Sequence, residues 1–257
     1  MAKGRITTAI LGVSLALNAV ALAAGGYLVY RKAEARAALR ARADRGAGEA
    51  AHRAAWYASS PVTQTDVVFA GDSITAGLVD DTLNHFLEGD LGEPWASLVK
   101  SRRLKGRGIG YDTSDKLLAR LDGVTRLRPR KLFLMIGIND LTSGNTPGQV
   151  EANVGEIIRR VRQESPETEV FVQSVLPVNE QQFFRGGNAL VRQTNDRLRS
   201  LCQETKAIYI DLHALFADAA GQLRGEFADD GLHPHGRAHD AWREALVQYL
   251  GQTTPAR

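Results

Sequence analysis

Short apolar runs alternate along the chain with segments whose apolar residues recur at helical spacing. Apolar runs of four to eight residues are typical of buried strands. The candidate strands are Val67–Ala70, Lys131–Gly137, Glu169–Leu176 and Ala207–Leu212, with a weaker one before Gly108. The candidate helices are Trp95–Leu104, Ser114–Leu127, Gln149–Glu164, Ala189–Thr205 and His239–Leu250. Apolar strands that alternate with helices predict an α/β domain whose parallel sheet is covered by helices on both faces.

A long stretch near the N-terminus lacks charge altogether. A short basic N-terminus over 1–5 precedes a segment over 6–30 that contains no charged residue. At about 1.5 Å per residue, a helix of that length spans roughly 37 Å, more than the hydrocarbon core of a bilayer. We therefore predict a transmembrane anchor over 6–30. The alternatives are a signal sequence, for which Ala21-Leu22-Ala23 resembles a cleavage site, and a buried soluble helix.

Two indications conflict over the side of the membrane that holds the folded domain. Five basic residues follow the apolar segment closely, whereas only Lys3 and Arg5 precede it, so the positive-inside rule favours a cytoplasmic domain. The signal-like character of the first 23 residues favours the other side. We expect a single-pass membrane protein, with the extracytoplasmic side slightly favoured for the domain.

Within residues 31–60, the stretch 31–55 is rich in Ala, Arg and Glu and offers almost no large apolar side chain. We predict a helical stalk here, either a solvated spacer or a basic face against anionic lipid. The folded domain is then expected over 61–257.

The basic residues are concentrated outside the predicted domain. The net charge is +3, but residues 1–60 hold nine Lys or Arg and three Asp or Glu, and the remaining residues hold 23 and 26. A nucleic-acid-binding surface needs Lys and Arg on the folded part, so no nucleic-acid partner is expected. The single cysteine, Cys202, excludes an intramolecular disulfide framework.

Polar residues follow the predicted strands at the points where the strands end. Active sites in parallel sheets lie at the carboxyl ends of the strands, so residues far apart in sequence are expected at one rim. The residues expected there are Ser73, Tyr111, Asp112, Asn139 and Asp140, together with Asp230 and His233 from the loop before the last helix.

Three of these residues are of the types that nucleophilic catalysis requires. A serine hydroxyl needs a base within hydrogen-bond reach, and the base needs a group that holds its tautomer. Ser73, His233 and Asp230 could supply the nucleophile, the base and the acid. The alternatives are structural: Ser73 as a helix N-cap, and 230–233 as a surface turn.

Two further residues have alternative interpretations. The amide of Asn139 could donate to an oxyanion, or it could close an Asx-turn after its strand. His233, His235 and His239 could form a metal site, but one loop without cysteines or a carboxylate cluster is weak evidence for one. No metal is therefore expected.

Four sequence blocks in order give the chain a resemblance to the SGNH (GDSL) hydrolases over roughly residues 64–250. They are VVFAGDSITAG around Ser73, RGIGYDTS at 107–114, MIGINDL at 135–141 and DGLHP at 230–234. The resemblance implies a three-layer α/β/α fold with a flavodoxin-like parallel sheet of about five strands. It also implies a catalytic triad of Ser73, His233 and Asp230, an oxyanion hole formed by the backbone N–H groups of Ser73 and Tyr111 with the amide of Asn139, and no cofactor.

One position departs from the family pattern. The second block of the family usually carries a glycine before the Asp, where this chain has Tyr111. Any residue but proline offers a backbone N–H, but the freedom of glycine at positive φ is lost. Gly110 is the alternative donor.

Four residues are expected to support the pocket or the loops around it, namely Asp72, Gly110, Asp112 and Asp140. Asp72 is expected to organise loop hydrogen bonds rather than to serve as the triad acid, and Asp112 with Thr113 is expected to cap the following helix.

The function that the resemblance implies is hydrolysis of short-acyl, acetyl-like esters, O-acetylated carbohydrate among them. The alternatives are an O-acyltransferase, a lysophospholipase or thioesterase of the same fold, and a catalytically silent membrane-tethered binding module. The expected partners are a small-molecule or glycan ester and a lipid bilayer. The sequence leaves the oligomeric state open.

Overall fold

The computed structural model describes residues 65–79, 95–101 and 103–250, together with residues 48, 51, 53–55 and 57. The predicted anchor over 6–30 and most of the predicted stalk lie outside the described residues. No helix within the described ranges combines the length and the apolar character that a membrane span requires.

Five parallel strands form the sheet, as the sequence predicts. They are β1 (Val67–Gly71), β2 (Leu104–Gly108), β3 (Lys131–Met135), β4 (Glu169–Gln173) and β5 (Ile208–Ile210), in the order β2-β1-β3-β4-β5. The chain leaves β1 in one direction across the sheet and leaves β3 in the other. The point between β1 and β3 is thus the topological switch point, where ligands bind in sheets of this kind.

Within the described parts of residues 65–250, nine helices connect or follow the strands. They are α1 (Ser73–Leu78), α2 (Trp95–Lys100), α3 (Ser114–Ala119), α4 (Asp122–Thr125), α5 (Ile138–Thr142), α6 (Pro147–Glu164), α7 (Gly187–Thr205), α8 (His213–Phe216) and α9 (Arg237–Leu250).

Two predicted helices differ from those observed. The predicted helix Trp95–Leu104 stops at Lys100, because Leu104 is already the first residue of β2. The predicted helix Ser114–Leu127 is divided into α3 and α4, since Arg120 leaves helical geometry with φ −110° and ψ 18°. The side chain of Arg120 reaches the carboxyl ends of β1 and β2.

Three predicted strands extend beyond the observed ones at their carboxyl ends. The strand predicted to Gly137 ends at Met135, because Gly137 turns the chain with φ 138°. β4 ends at Gln173 and β5 at Ile210. The apolar pattern continues past each strand because apolar residues that follow it are buried, namely Ile136, Val175, Leu176 and Leu212.

One face of the sheet carries a row of aromatic rings. Phe69, Phe133 and Phe171 occupy matching positions on β1, β3 and β4, and their neighbouring rings stack with centroids 4.9 and 4.7 Å apart. Trp95 of α2 and Tyr249 of α9 contact the two ends of this row. These helices therefore cover that face.

The helices that connect β2 to β5 cover the opposite face, since parallel connections are right-handed. The predicted apolar stripe of α6 is buried, and α6 packs against α7 where an added Cβ on Gly155 would lie 3.4 Å from Leu201. Helices thus cover both faces of the sheet.

The chain divides into two units, Met1–Gly48 and Glu49–Arg257, and only Gly48 of the first is described. The second unit starts earlier than the predicted domain boundary at 61. Tyr57, which falls in the predicted stalk, is buried and donates its hydroxyl to the carbonyl of Gly108 at 3.0 Å. The guanidinium of Arg107 lies 4.4 Å from the centre of its ring. Tyr57 therefore packs against the end of β2 rather than facing solvent.

Candidate active site

Ser73 lies where β1 passes into α1. Asp72 is the N-cap of this helix and accepts a hydrogen bond from the N–H of Ile74 at 2.9 Å. The structure therefore gives the capping role to Asp72 rather than to Ser73. Gly71 permits the close approach of β1 to β3, because a Cβ at this position would lie 2.1 Å from the carbonyl oxygen of Met135.

A continuous chain of contacts joins Ser73, His233 and Asp230. The hydroxyl Oγ of Ser73 lies 2.9 Å from Nε2 of His233, and Nδ1 of the same ring lies 2.6 Å from Oδ2 of Asp230. The structure thus brings together side chains that are 160 positions apart in sequence. This arrangement can move a proton from a hydroxyl to an imidazole that a carboxylate holds in place.

Asp230 is held by its own loop as well as by the imidazole. Its Oδ1 accepts hydrogen bonds from the backbone N–H groups of Leu232 at 2.9 Å and His233 at 2.8 Å. Gly231 allows the tight turn with φ 76°. Partial burial raises the pKa of Asp230, but the hydrogen bonds from His233 and Leu232 outweigh it and hold the pKa at about 2. The carboxyl group is therefore ionised at neutral pH.

The four-residue turn over 109–112 contains the departure from the family pattern. The N–H of Asp112 donates to the carbonyl of Ile109 at 3.2 Å, which closes the turn. Tyr111, at the third position, has φ 63°, in the region that glycine favours in type II turns. The residue is 44% exposed. Gly110 stands at the second position, where an added Cβ would meet no atom within 4 Å.

The side chain of Asn139 is hydrogen-bonded to the last residue of the 109–112 turn. Its amide Nδ2 donates to the carbonyl of Asp112 at 2.9 Å, a contact between residues 27 positions apart. Asn139 thus joins the start of α5 to the 109–112 turn and does not close an Asx-turn after its own strand. This hydrogen bond uses one of the two amide hydrogens and fixes the plane of the amide. The second hydrogen therefore points in a fixed direction away from the carbonyl of Asp112.

The turn is also joined to the strand that precedes Ser73. The N–H of Ile109 donates to the carbonyl of Gly71 at 3.1 Å. The predicted site residues therefore form two sets, Ser73 with His233 and Asp230, and Tyr111 with Asn139, that meet through the end of β1.

Asp140 caps α3 from a different part of the chain. Its two carboxylate oxygens accept hydrogen bonds from the N–H of Ser114 at 2.8 Å and from its hydroxyl at 2.7 Å. Thr113 occupies the N-cap position but makes no capping bond with its side chain. The expected cap from Asp112 and Thr113 is thus replaced by one from Asp140.

Three carboxyl groups are buried beneath the site, those of Asp72, Asp112 and Asp140. Burial is the main cause that raises the pKa of each one, and for Asp72 it raises the pKa to about 7. The opposing causes are the N–H of Ile74 for Asp72, the guanidinium of Arg120 for Asp112, and Ser114 for Asp140. Asp72 is therefore partly protonated near neutral pH.

Arg120 and Ser114 are site-supporting residues that the sequence analysis missed. Arg120 pairs with the carboxylate of Asp112 at 2.6 Å. The local pattern around both residues is that of an ordinary helix, which conceals contacts with distant strand ends. One signal in the sequence points to Arg120. Asp112 is an acid expected at the buried end of a strand, and a buried acid is usually paired with a cation.

Two histidines of the predicted metal alternative make contacts of another kind. His235 pairs with Asp229, with Nε2 and Oδ2 3.2 Å apart, and His233 contacts Asp230 and Ser73. Within the described ranges, no three His, Cys, Asp or Glu side chains are grouped so that they could hold a metal ion.

Comparisons with known proteins identify the family of the chain. Residues 69–241 match the model of the GDSL-like Lipase/Acylhydrolase family. The human platelet-activating factor acetylhydrolase IB subunit alpha1 is 28% identical over 212 residues, which cover 78% of this chain and 85% of that protein.

Solved structures show the same fold. A GDSL-like lipase from Bacteroides thetaiotaomicron superposes with a TM-score of 0.63 at 20% identity, covering 77% of this chain and 95% of that one. An acetyl xylan esterase superposes with a TM-score of 0.57 at 20% identity, covering 72% and 98%.

The family match spans most of the sheet and both ends of the contact chain from Ser73 to Asp230. The parallel five-stranded sheet is the one that the sequence resemblance implies. The chain therefore belongs to the GDSL-like lipase/acylhydrolase family and is an ester-hydrolysing enzyme.

Proposed function

We propose that this protein hydrolyses short-acyl, acetyl-like esters through Ser73 as nucleophile, His233 as general base and Asp230 as the acid that orients it. The observation that carries the proposal is the unbroken contact chain, 2.9 Å from Ser73 Oγ to His233 Nε2 and 2.6 Å from His233 Nδ1 to Asp230 Oδ2. An ionised Asp230 favours the tautomer in which Nε2 accepts the serine proton.

The reaction begins when His233 Nε2 takes the hydroxyl proton and Ser73 Oγ attacks the ester carbonyl carbon. The negative charge that develops on the carbonyl oxygen is stabilised by the N–H groups of Ser73 and Tyr111 and by the amide of Asn139. His233 returns the proton to the leaving alcohol as the carbon–oxygen bond breaks, which leaves an acyl group on Ser73. Water, deprotonated by His233, then attacks the acyl carbon and releases the acid.

The electrostatics of the loop suit this cycle. Imidazolium forms twice in each turnover, and an adjacent carboxylate whose pKa is held at about 2 stabilises it both times. The three backbone and ring donors to Asp230 keep the carboxylate in place, so the ring need not reorient between steps.

Two observations favour a short acyl group. The human relative is named as an acetylhydrolase at 28% identity. Tyr111 adds a phenol ring to the 109–112 turn, where the family resemblance expects a glycine with no side chain. Acetyl esters, including those on carbohydrate, place the least bulk beside this ring.

A panel of aryl esters with acyl chains of two to twelve carbons tests the proposal on the full chain. We expect turnover to be highest for the acetyl ester and to be lost in Ser73→Ala, together with labelling by a fluorophosphonate probe. Ser101→Ala is the matched control, because Ser101 is an exposed serine that donates to the carbonyl of Ser97. Turnover that persists in Ser73→Ala would remove Ser73 as the nucleophile, and a maximum at long chains would remove the short-acyl assignment.

We also propose that residues 6–30 anchor the enzyme in a membrane. The support is the absence of charge over a length sufficient to cross a bilayer, with basic residues on both flanks. We expect the full chain to stay in the membrane pellet after alkaline carbonate washing and to be released by detergent. Release by carbonate alone would contradict the anchor without affecting the proposed chemistry.

A further inference from the structure

Arg120 lies beneath the site and contacts three separate segments of it. Its Nε donates to Oδ2 of Asp112 at 2.6 Å, and one terminal nitrogen donates to the carbonyls of Gly71 at 3.0 Å and Arg107 at 2.9 Å. The side chain is only 13% exposed. The guanidinium therefore joins the end of β1, the end of β2 and the 109–112 turn.

The segments around Gly71 and Asp112 position groups that the proposed reaction uses. Gly71 lies two residues before Ser73, so its carbonyl fixes where the nucleophile leaves the sheet. Asp112 ends the turn that presents the N–H of Tyr111, and its own carbonyl receives the amide hydrogen of Asn139 at 2.9 Å. A displacement of Asp112 would thus move two of the proposed oxyanion donors, the N–H of Tyr111 and the amide of Asn139.

A guanidinium is required for this arrangement because of its shape. Its planar fork presents donors in several fixed directions, whereas a lysine ammonium is a compact point charge on a flexible stem. A lysine at this position could still neutralise the carboxylate of Asp112. It could not reach the carboxylate and the two strand-end carbonyls in one rigid geometry.

We propose that Arg120 is a positioning residue that sets the distance between the nucleophile and the oxyanion donors. The inference rests on the proposed function, since the groups it aligns are those of the Ser73 mechanism. Arg120 acts through Asp112 and Gly71 and does not itself touch the reacting atoms.

The experiment compares Arg120→Lys and Arg120→Met with Arg103→Met in the full chain, with an aryl acetate as substrate. Arg103 is the matched control, because it also pairs with a carboxylate at 2.6 Å, that of Asp66, but at the opposite end of β1. Both methionine variants lose one ion pair of the domain. We expect kcat to fall roughly 10- to 100-fold in both Arg120 variants, with KM within about threefold of the parent, and to change less than about threefold in Arg103→Met.

A double-mutant cycle with Asn139→Ala separates positioning from general loss of stability. If Arg120 acts by aligning the donors, removal of one donor makes part of its effect redundant, so the double variant should lose less kcat than the product of the two single losses. Effects that multiply fully, or kcat values for the Arg120 variants that match Arg103→Met, would overturn the inference. If Arg120→Met does not fold, Arg120→Lys decides by the same two criteria, because it retains the buried positive charge.

The two proposals fail in distinguishable ways. A parent enzyme that turns over no ester overturns the proposed function and this inference with it. A parent that turns over the acetate, with Arg120 variants that do so equally well, overturns the inference alone.

Discussion

Asp140 receives two hydrogen bonds from Ser114, one from its backbone N–H at 2.8 Å and one from its hydroxyl at 2.7 Å. The two residues belong to different helices, Asp140 to α5 after β3 and Ser114 to the start of α3 after β2. The carboxylate therefore ties the segment that carries Asn139 to the helix that follows Tyr111. Both partners are fully buried, so neither can exchange this contact for one with water.

Asp140→Ala should destabilise the fold because it leaves two buried donors of Ser114 without their acceptor. We expect a loss of about 2–4 kcal/mol in the free energy of unfolding, measured by urea denaturation. Asp196→Ala is the control, since it removes an exposed carboxylate paired with Arg199 and should cost less than about 1 kcal/mol. Equal losses in the two variants would show that the cap adds nothing beyond a surface ion pair.

The backbone of Tyr111 stores strain that glycine would relieve. A residue other than glycine at φ 63° costs on the order of 1–3 kcal/mol. We expect Tyr111→Gly to raise the free energy of unfolding by about 1 kcal/mol, after the added entropy of the unfolded chain is subtracted. Tyr111→Ala should show no such gain, because its Cβ keeps the strain.

The same pair of variants tests the ring of Tyr111 as a limit on acyl length. Both remove the phenol, so both should raise kcat/KM for longer acyl esters relative to acetate if bulk is the limiting factor. If kcat/KM for longer esters rises only in Tyr111→Gly, the backbone and not the ring limits acyl length. If it rises in neither variant, Tyr111 does not determine acyl specificity.

Asp230→Asn should impair the reaction while leaving the loop folded. The amide oxygen of asparagine can still accept from the N–H groups of Leu232 and His233, but the negative charge that stabilises imidazolium is lost. By analogy with serine proteases, we expect kcat to fall by about 10²–10⁴. Asp229→Asn, which alters the exposed neighbour paired with His235, should change kcat less than about threefold. Similar effects in the two variants would reject Asp230 as the triad acid.

The buried carboxyl of Asp72 predicts a pH dependence of stability. Burial raises its pKa from 3.8 to about 7, so between these values the folded state holds more protons than the unfolded state. Its contribution to stability is therefore lost as the pH rises through this window. Asp72→Asn removes the ionisation and can still accept from the N–H of Ile74 through its amide oxygen.

We expect the free energy of unfolding of Asp72→Asn to exceed that of the parent by on the order of 2–4 kcal/mol at pH 8 and to differ little from it at pH 4. Urea denaturation at each pH measures both values. A gain of the same size at both pH values would show that ionisation of Asp72 is not its source.

The sequence predicted the sheet and the meeting of Ser73, His233 and Asp230 because both follow from short-range patterns. Apolar runs mark parallel strands, and the carboxyl ends of parallel strands share one rim. The 160 positions between Ser73 and His233 did not matter, since the topology closes that distance.

The supporting contacts could not be predicted in this way. Arg120 lies in what reads as one continuous helix, and its partners are carbonyls, which no residue type reveals. The capping of α3 by Asp140 depends on how two loops approach each other, not on the sequence next to the helix. The sequence places Tyr57 in the stalk because two adjacent aromatic residues, Trp56 and Tyr57, among alanines give no periodicity.

The acid and the base lie three residues apart on one short loop, bound to each other and to its backbone. Any rearrangement of this loop would carry imidazole and carboxylate away from the hydroxyl as one rigid piece. Such a motion would break the contact with Ser73 and leave the hydrogen bond between His233 and Asp230 intact, so a disengaged enzyme would regain its triad by closing one contact instead of two.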